Sequence, residues 1–384
     1  MDRHKIVLLD HTPFVGGAQL ALVRHLNALD LSKFDPVVVC GDPQFFRTYL
    51  RPERHLDIKI IRHRFGRLKP FGLMSSINII SSSVLLVRLL VREGPDLVVV
   101  NTERCLYAVW LAVLVTKIPA VVFVRDFEFS KRLLAVVKRQ VTNFICVSRS
   151  VRDHYFASSD QKASVVYVGT DLTNREDFTD QRGIVRLKSE FGIKEEFIIG
   201  FVGRLVSWKG PLILPEIARI LFRTGSNLPS WRIVVVGDGV SQEGSVDELL
   251  RKRLKDLDLE RPFSLVGFSK EVATWYQIFS VLLHTSQEAE PFATVVVEAL
   301  TSGLPVIATD LGGTREIIVN DQNGFLVEYR AEAFAQTILR LMEDHGLYRS
   351  LRRGAELSSR KFRESEITRE IEGIYLKALG APRA

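Results

Sequence analysis

The 384-residue chain is 46% apolar and 25% charged, which excludes a disordered or low-complexity protein and leaves enough length for two or three domains with full cores. Its formal charge of +7 is unevenly spread: residues 1–171 hold 24 Lys and Arg against 15 Asp and Glu, and the remainder holds 28 against 30. Three widely spaced cysteines, Cys40, Cys105 and Cys146, match neither a metal-ligand spacing nor a disulfide framework, so they read as buried apolar residues of a protein in a reducing cytoplasm.

The first run, KIVLLD (5–10), ends at Asp10 too soon for the core of a signal peptide and reads as a strand. In the segment that follows, HTPFVGGAQLALVRHL, Gly16 and Gly17 precede an amphipathic helix, where backbone N–H groups could approach an anion. After a second strand, PVVVCG (36–41), the stretch Arg51–Phe71 carries seven Lys and Arg against two acids, with Phe65 and Phe71 beside them. Such a patch suits phosphate-bearing partners, either anionic lipid headgroups or nucleic acid, or else is a solvated loop and strand edge. Residues 73–91 and 105–124 are apolar but interrupted, by serines and Arg88 in the first and by Lys117 and Pro119 in the second. Neither supplies the roughly 20 unbroken apolar residues a membrane span needs, so buried helices are expected.

Strands DLVVVN (96–101), PAVVFVRD (119–126) and NFICVS (143–148) complete the first half. A polar stretch, 173–196, then separates a domain over 1–171 from one over 172–362, whose strands are FIIGFVGR (197–204), WRIVVVGDG (231–239), FSLVG (263–267), SVLLHT (280–285) and LPVIATD (304–310). At the end of the chain Ile367, Ile371, Ile374 and Leu379 recur at helical intervals. Continuous rather than alternating hydrophobicity implies strands covered on both faces, hence parallel sheets with crossover helices. The fold class is therefore α/β, in two doubly wound domains with a cleft between them. Ligands of such sheets bind beyond the carboxyl ends of the strands.

The residues at those ends are chemically concentrated. Arg204 and Lys209, with Gly203 and Gly210, surround one strand-to-helix turn, where an arginine fork and a lysine point charge suit a diphosphate. VVVGDGVSQEG completes no GxGxxG, which argues against a nicotinamide enzyme. Glu290 and Glu298 bracket a Pro-Phe and a triple valine, and ALTSGLPVIATDLGGTREII continues from the second acid.

This last constellation resembles the donor-site signature of glycosyltransferase family 4, retaining enzymes of GT-B architecture. FVGGAQ resembles the family's N-terminal glycine loop, GRLVSWKG its phosphate-binding turn, and VGDG and VGF its nucleotide-facing loops. The resemblance implies two Rossmann-like domains facing a central cleft, with residues 363–384 packing back on the N-terminal domain. It implies a sugar carried from a nucleotide diphosphate donor to a saccharide or lipid-linked saccharide acceptor, in surface polysaccharide or glycolipid assembly. Metal, cofactor and nucleic acid are not expected, and the protein is placed in the cytoplasm or peripherally on an anionic inner membrane face.

By the same resemblance Glu298 accepts from the nucleotide ribose and Glu290 from the donor sugar's hydroxyls. Pro291 starts the next element, the N–H groups of Ala293, Thr294 and Val295 face sugar and phosphate, and the valines anchor the helix. Arg204 and Lys209 neutralise the pyrophosphate, a task some transferases give to a metal. Gly16 and Gly17 approach it from the N-terminal domain, and Gly239 and Phe268 belong to the nucleotide-facing loops. One departure stands out: VFVRDFEFS carries Arg125 and Asp126 where many members have a histidine. Either the two are catalytic, on the leaving phosphate and the acceptor hydroxyl, or they form an ion pair that ties down the loop. Asn101 and Glu103 are candidates for the acceptor side; His11 and His284 read as structural or supporting. Two other readings stay open: an epimerase or phosphorylase on the same architecture, and a non-catalytic sugar-nucleotide-binding factor favoured by the Arg125-Asp126 departure.

Overall fold

The computed structural model describes residues 3–11, 16–63, 73–170, 172, 181–224, 228–239 and 245–380, the side chains of 73–77 and 103–104 excepted. Arg64, Arg67 and Lys69 of the basic stretch, Phe14 and Val15 of the glycine loop, the Glu103 side chain and residues 173–180 of the expected boundary lie outside this description. The chain divides into two units, residues 1–169 with 364–384 and residues 170–363.

The first unit runs β1 (His4–Asp10), α1 (Gly17–Ala28), β2 (Phe34–Cys40), α2 (Pro43–Tyr49), β3 (Lys59–Arg62), α3 (Leu73–Glu93), β4 (Leu97–Val100), α4 (Glu103–Thr116), β5 (Ala120–Val124), α5 (Lys131–Val137), β6 (Asn143–Cys146), α6 (Arg149–Tyr155) and β7 (Ala163–Val165). The second runs α7 (Gln181–Glu190), β8 (Phe197–Val202), α8 (Leu214–Arg223), β9 (Trp231–Val236), α9 (Val246–Asp256), β10 (Phe263–Gly267), α10 (Val272–Ile278), β11 (Val281–His284), α11 (Thr294–Thr301), β12 (Val306–Thr309), β13 (Gly324–Val327), α12 (Ala331–Glu343) and α13 (His345–Ser359). The last helix, α14 (Glu364–Leu379), belongs to the first unit.

Both sheets are parallel throughout, in the orders β3-β2-β1-β4-β5-β6-β7 and β10-β9-β8-β11-β12-β13. The ten strands expected from apolar runs all form, and β3, β7 and β13 are added. All three additions are edge strands: β3 is exposed at both ends and β7 is a partly buried three-residue strand, so neither carries the continuous apolar signature of a covered strand, whereas β13 is a short apolar run, GFLV, that was not among the expected strands. Each sheet reverses its strand order once, between β1 and β4 and between β8 and β11. In doubly wound folds these reversals open a crevice at the carboxyl edge, and the functional residues gather at both.

The core of the first unit joins β1, β2, β4 and β5 to α1 and to Ile367, Ile371, Ile374 and Tyr375 of α14. Burying three isoleucines and a tyrosine contributes on the order of 1.5–3 kcal/mol per side chain, enough to hold a terminal helix in place. The contact is also specific. Buried His25 of α1 meets Tyr375 Oη through Nε2 at 3.2 Å and Thr368 Oγ1 through Nδ1 at 3.1 Å, and Glu372 accepts from the Asp30 amide at 2.8 Å. Burial, with the Arg125 charge adding to it, pushes the His25 pKa down to about 3, so the imidazole is neutral.

The two interrupted apolar stretches become α3 and α4, and no helix among the described residues is long and apolar enough to cross a membrane. The helix α3 is not the buried one expected. Leu86 and Leu90 enter the core, but Ile80, Val84, Leu85 and Val91 stand exposed beside the exposed Arg88 and Arg92. These six recur at helical spacing on one solvent face. The three cysteines are buried and free, as expected.

Candidate active site

The loops after β8 and β11 lie side by side because those strands are neighbours at the reversal of the second sheet. They are sewn together by one backbone and two side-chain hydrogen bonds: Gln287 N–H donates to Trp208 O at 2.8 Å, and Thr285 Oγ1 donates to the carbonyls of Lys209 and Gly210 at 3.0 and 3.1 Å. Gly210 turns there with φ +66°, and a Cβ would overlap the Thr285 carbonyl, so both conformation and contact require glycine.

The zipped loops deliver Lys209 to Glu290. Lys209 Nζ donates to both carboxylate oxygens at 2.6 Å, His284 Nε2 contacts Oε1 at 2.8 Å, and Ser286 Oγ also donates to Oε1. Glu290 is 6% exposed. Burial alone would push its carboxyl up, but the charges and hydrogen bonds of His284 and Lys209 outweigh it and hold the group well below the usual carboxylate range. The carboxylate is thus ionised at any physiological pH, an acceptor and electrostatic anchor rather than a proton donor.

Its backbone is fixed as tightly. The 3-10 turn Gly312–Glu316 after β12 packs on residues 290–291: Gly313 N–H donates to Glu290 O at 2.9 Å, and a Cβ on Gly312 or Gly313 would run into the Glu290 or Pro291 main chain. The DLGG sequence is therefore a backplate for Glu290, a role its spacing alone did not reveal. The helix that follows begins at Thr294, with Ala293 as its N-cap, rather than at Pro291 as expected. Val296 and Val297 anchor it in the core, while Thr294 and Val295 sit half-buried in its first turn. One turn further, Glu298 Oε2 accepts from the hydroxyl of buried Tyr276 at 3.0 Å.

Arg204, expected to share a diphosphate with Lys209, is exposed, and its guanidinium has no hydrogen bond or ion pair among the described residues. Lys209 is engaged with Glu290 and lies 4.7 Å from the Trp208 ring centroid. Gly239 follows β9, its N–H on Asp238 Oδ1 at 2.8 Å, and Phe268 follows β10 with 73% of its surface exposed. The second unit thus gathers, beyond its strand ends, an ionised carboxylate, two cations, the open first turn of α11 and an exposed aromatic ring.

In the first unit, Gly16 caps α1 without a side-chain hydrogen bond and Gly17 opens the helix, with nothing within 4 Å of where its Cβ would stand. Beside them Asp10 and Asn101, both fully buried, meet at the reversal between β1 and β4, Asn101 Nδ2 donating to Asp10 Oδ2 at 2.5 Å. Arg125 donates to Asn101 Oδ1 from Nε at 3.0 Å and Nη2 at 2.8 Å, while Asp126 accepts from the Glu128 amide at 3.0 Å. The hydrogen bonds of Arg125 thus go to an amide rather than to its neighbour's carboxylate. His11 Nδ1 contacts Thr102 Oγ1 at 2.7 Å.

Comparison with known proteins places these observations. Residues 15–174 match the sequence model described as Glycosyltransferase Family 4, and residues 186–358 that described as Glycosyl transferases group 1. The chain is 24% identical over 362 residues, 88% of each chain, to an Escherichia coli UDP-Gal:alpha-D-GlcNAc-diphosphoundecaprenol alpha-1,3-galactosyltransferase. It is 26% identical over 258 residues to a D-inositol 3-phosphate glycosyltransferase of Streptomyces avermitilis, covering 66% of this chain and 54% of that one. In fold it is similar to a glycosyltransferase from Rickettsia africae, with TM-score 0.86, 19% identity and full coverage of both chains. It is also similar to Anabaena HepE in complex with UDP and glucose, with TM-score 0.79, 24% identity, and 97% of this chain and 100% of that one covered.

Proposed function

Because the chain belongs to glycosyltransferase family 4 and is a glycosyltransferase of the GT-B fold, we propose that it takes a sugar from a nucleoside diphosphate donor and passes it, with retention, to a saccharide or lipid-linked saccharide in surface polysaccharide or glycolipid assembly. The observation that carries this reading is the buried, ionised Glu290 clamped by Lys209 at the reversal of the second sheet. A carboxylate locked on its backbone, three of its donors on Oε1 and Lys209 on Oε2, keeps acceptor capacity at Oε2 for a sugar hydroxyl without reorganising, and the cation beside it can stabilise negative charge as the diphosphate departs. Arg204 supplies the uncommitted fork for that diphosphate, Glu298 the acceptor for ribose hydroxyls, the first turn of α11 at Ala293, Thr294 and Val295 a set of N–H donors, and Gly239 and Phe268 the surface for the nucleotide. Similarity to an enzyme of a UDP-linked sugar favours a uridine nucleotide.

These cations make a metal unnecessary in the proposal, so transfer proceeds with EDTA present. With Glu290 held by Lys209, His284 and Ser286, the acceptor attacks from the face the leaving group vacates, the departing phosphate takes the hydroxyl proton, and no glycosyl-enzyme forms. Asp126 orients the acceptor hydroxyl, and Gly16 and Gly17 leave the start of α1 open to an anion.

We further place the protein peripherally on an anionic membrane, through the exposed apolar and arginine-bearing face of α3 and the basic charge of residues 1–171.

The test is a screen of UDP-, GDP- and ADP-sugars for thermal stabilisation and slow sugar release. A donor at 100 times its Kd adds about 2.7 kcal/mol to stability. Absence of both stabilisation and release across the panel would remove the reading.

A further inference from the structure

Arg125 is held as a receptor is held. Its guanidinium lies 4.3 Å from the Phe123 ring centroid, and two of its five N–H groups are spent on one neutral oxygen, Asn101 Oδ1. Asn101 cannot turn away, because its Nδ2 is fixed by Asp10 Oδ2 at 2.5 Å and by the Ala18 carbonyl at 3.2 Å. Asp10 is fixed in turn by Gln19 Nε2, at 3.2 and 3.0 Å. Gln19, Asp10 and Asn101 are all buried, so the strand ends of β1 and β4 and the first turn of α1 present one half-buried guanidinium on a rigid mount.

The mount spends its carboxylate on an amide, not on the arginine. Among the described residues Arg125 has no ion pair and no hydrogen bond besides those to Asn101. Both hydrogens of Nη1 and one of Nη2 are left, the edge of the fork that fits two oxygens of a carboxylate or a phosphate. Burial lowers the guanidinium pKa to about 10, the nearby Tyr375 and Asp10 working against it, so the charge persists at neutral pH. Every cation assigned above to the donor diphosphate, Arg204 and Lys209, belongs to the other unit.

We propose that Arg125 receives an acidic group of the acceptor, a carboxylate or phosphate, and so restricts the enzyme to acidic saccharides or sugar phosphates. This rests on the transferase reading, and the same chemistry could come from the donor's own phosphates, so the experiment separates the sources. Calorimetry with the full chain, without UDP and at saturating UDP, measures binding of glucuronate, inorganic phosphate and glucose. The wild type binds both anions and binds glucose at least tenfold more weakly. Arg125→Gln loses the anions by at least tenfold, Arg125→Lys recovers part of the loss, and Arg204→Gln weakens UDP but not the anions.

Anions bound equally by wild type and Arg125→Gln, no anion binding by the wild type, or anions displaced by UDP would each overturn the proposal. In the last case Arg125 would serve the donor. Failure of the transferase reading looks different: no nucleotide binds the wild type at all. Should Arg125→Gln melt abnormally, Arg125→Lys carries the test alone, since a point charge without the fork must weaken both anions.

Discussion

Arg204 and Lys209 have the same charge and stand five residues apart, but their surroundings give them different tasks. Arg204 is exposed and uncommitted, so Arg204→Ala should leave stability within about 0.5 kcal/mol and weaken UDP by roughly 1.5–3 kcal/mol, about tenfold to over a hundredfold, while uridine binds unchanged. Lys209→Ala removes the partner of a buried carboxylate, which costs about 3 kcal/mol, the low end for a broken buried pair, because His284 and Ser286 remain on Glu290. Paired calorimetry and thermal unfolding separate the two; equal stability loss in both variants would mean that Arg204 is structural. Glu290→Gln keeps the shape but cannot accept from three donors at once, so turnover should fall by two orders of magnitude or more. The sequence exposed Arg204 and Lys209 as residue types at a strand end, and Glu290 and Glu298 by their spacing in the family's donor-site signature. It hid their pairing, because the Lys209–Glu290 contact spans 81 positions and exists only because β8 and β11 are neighbours. Gly312 and Gly313 were hidden for the same reason: they matter through a backbone they touch in space.

Among elements, the covered strands were legible because burial on both faces writes an unbroken apolar run; the edge strands β3 and β7 were not because they are short and partly exposed, and β13 was missed although its four residues are apolar. The face of α3 combines Ile80, Val84, Leu85 and Val91 with Arg88 and Arg92, so sedimentation with anionic vesicles should exceed that with neutral ones and fall with salt. Val84→Glu with Leu85→Glu should abolish the difference, and indifference of the wild type to lipid charge would contradict the placement. The terminal helix α14 offers a pH test through His25. Its folded pKa lies below its unfolded value of 6.5, so the unfolded chain takes up the proton first. Stability from this group is complete above about pH 6.5 and declines as pH falls toward about 3, at no more than about 1.4 kcal/mol per pH unit. The difference in unfolding free energy between wild type and His25→Gln should shrink across that window. A constant difference would mean that the imidazole is not held neutral. Deleting residues after Phe362 removes Ile367, Ile371, Ile374 and Tyr375, exposes the apolar core residues of the first unit that they cover, and should cause aggregation in ultracentrifugation; a monodisperse truncation with unchanged melting would show that α14 is dispensable.

At the scale of the whole molecule, the two units repeat one architectural solution with different chemistry. Each places its polar groups where the strand order reverses, the first mounting Arg125 on Asp10 and Asn101, the second clamping Glu290 with Lys209. Parallel topology was legible from the apolar runs, and the family from the acids and glycines around Glu290; the mount under Arg125 was not, since Asp10, Asn101 and Arg125 lie on three different strand ends. In the proposed mechanism Glu290, held by Lys209, His284 and Ser286, is an electrostatic anchor and hydroxyl acceptor rather than a nucleophile, and same-face departure and attack is the route. Water can stand in for the acceptor. Proton NMR of the sugar released from an α-linked UDP-sugar, recorded in the first minutes before mutarotation and with EDTA present, reads the stereochemistry directly. The α anomer should appear first and drift toward equilibrium; the β anomer appearing first would contradict retention and, with it, the role assigned to Glu290.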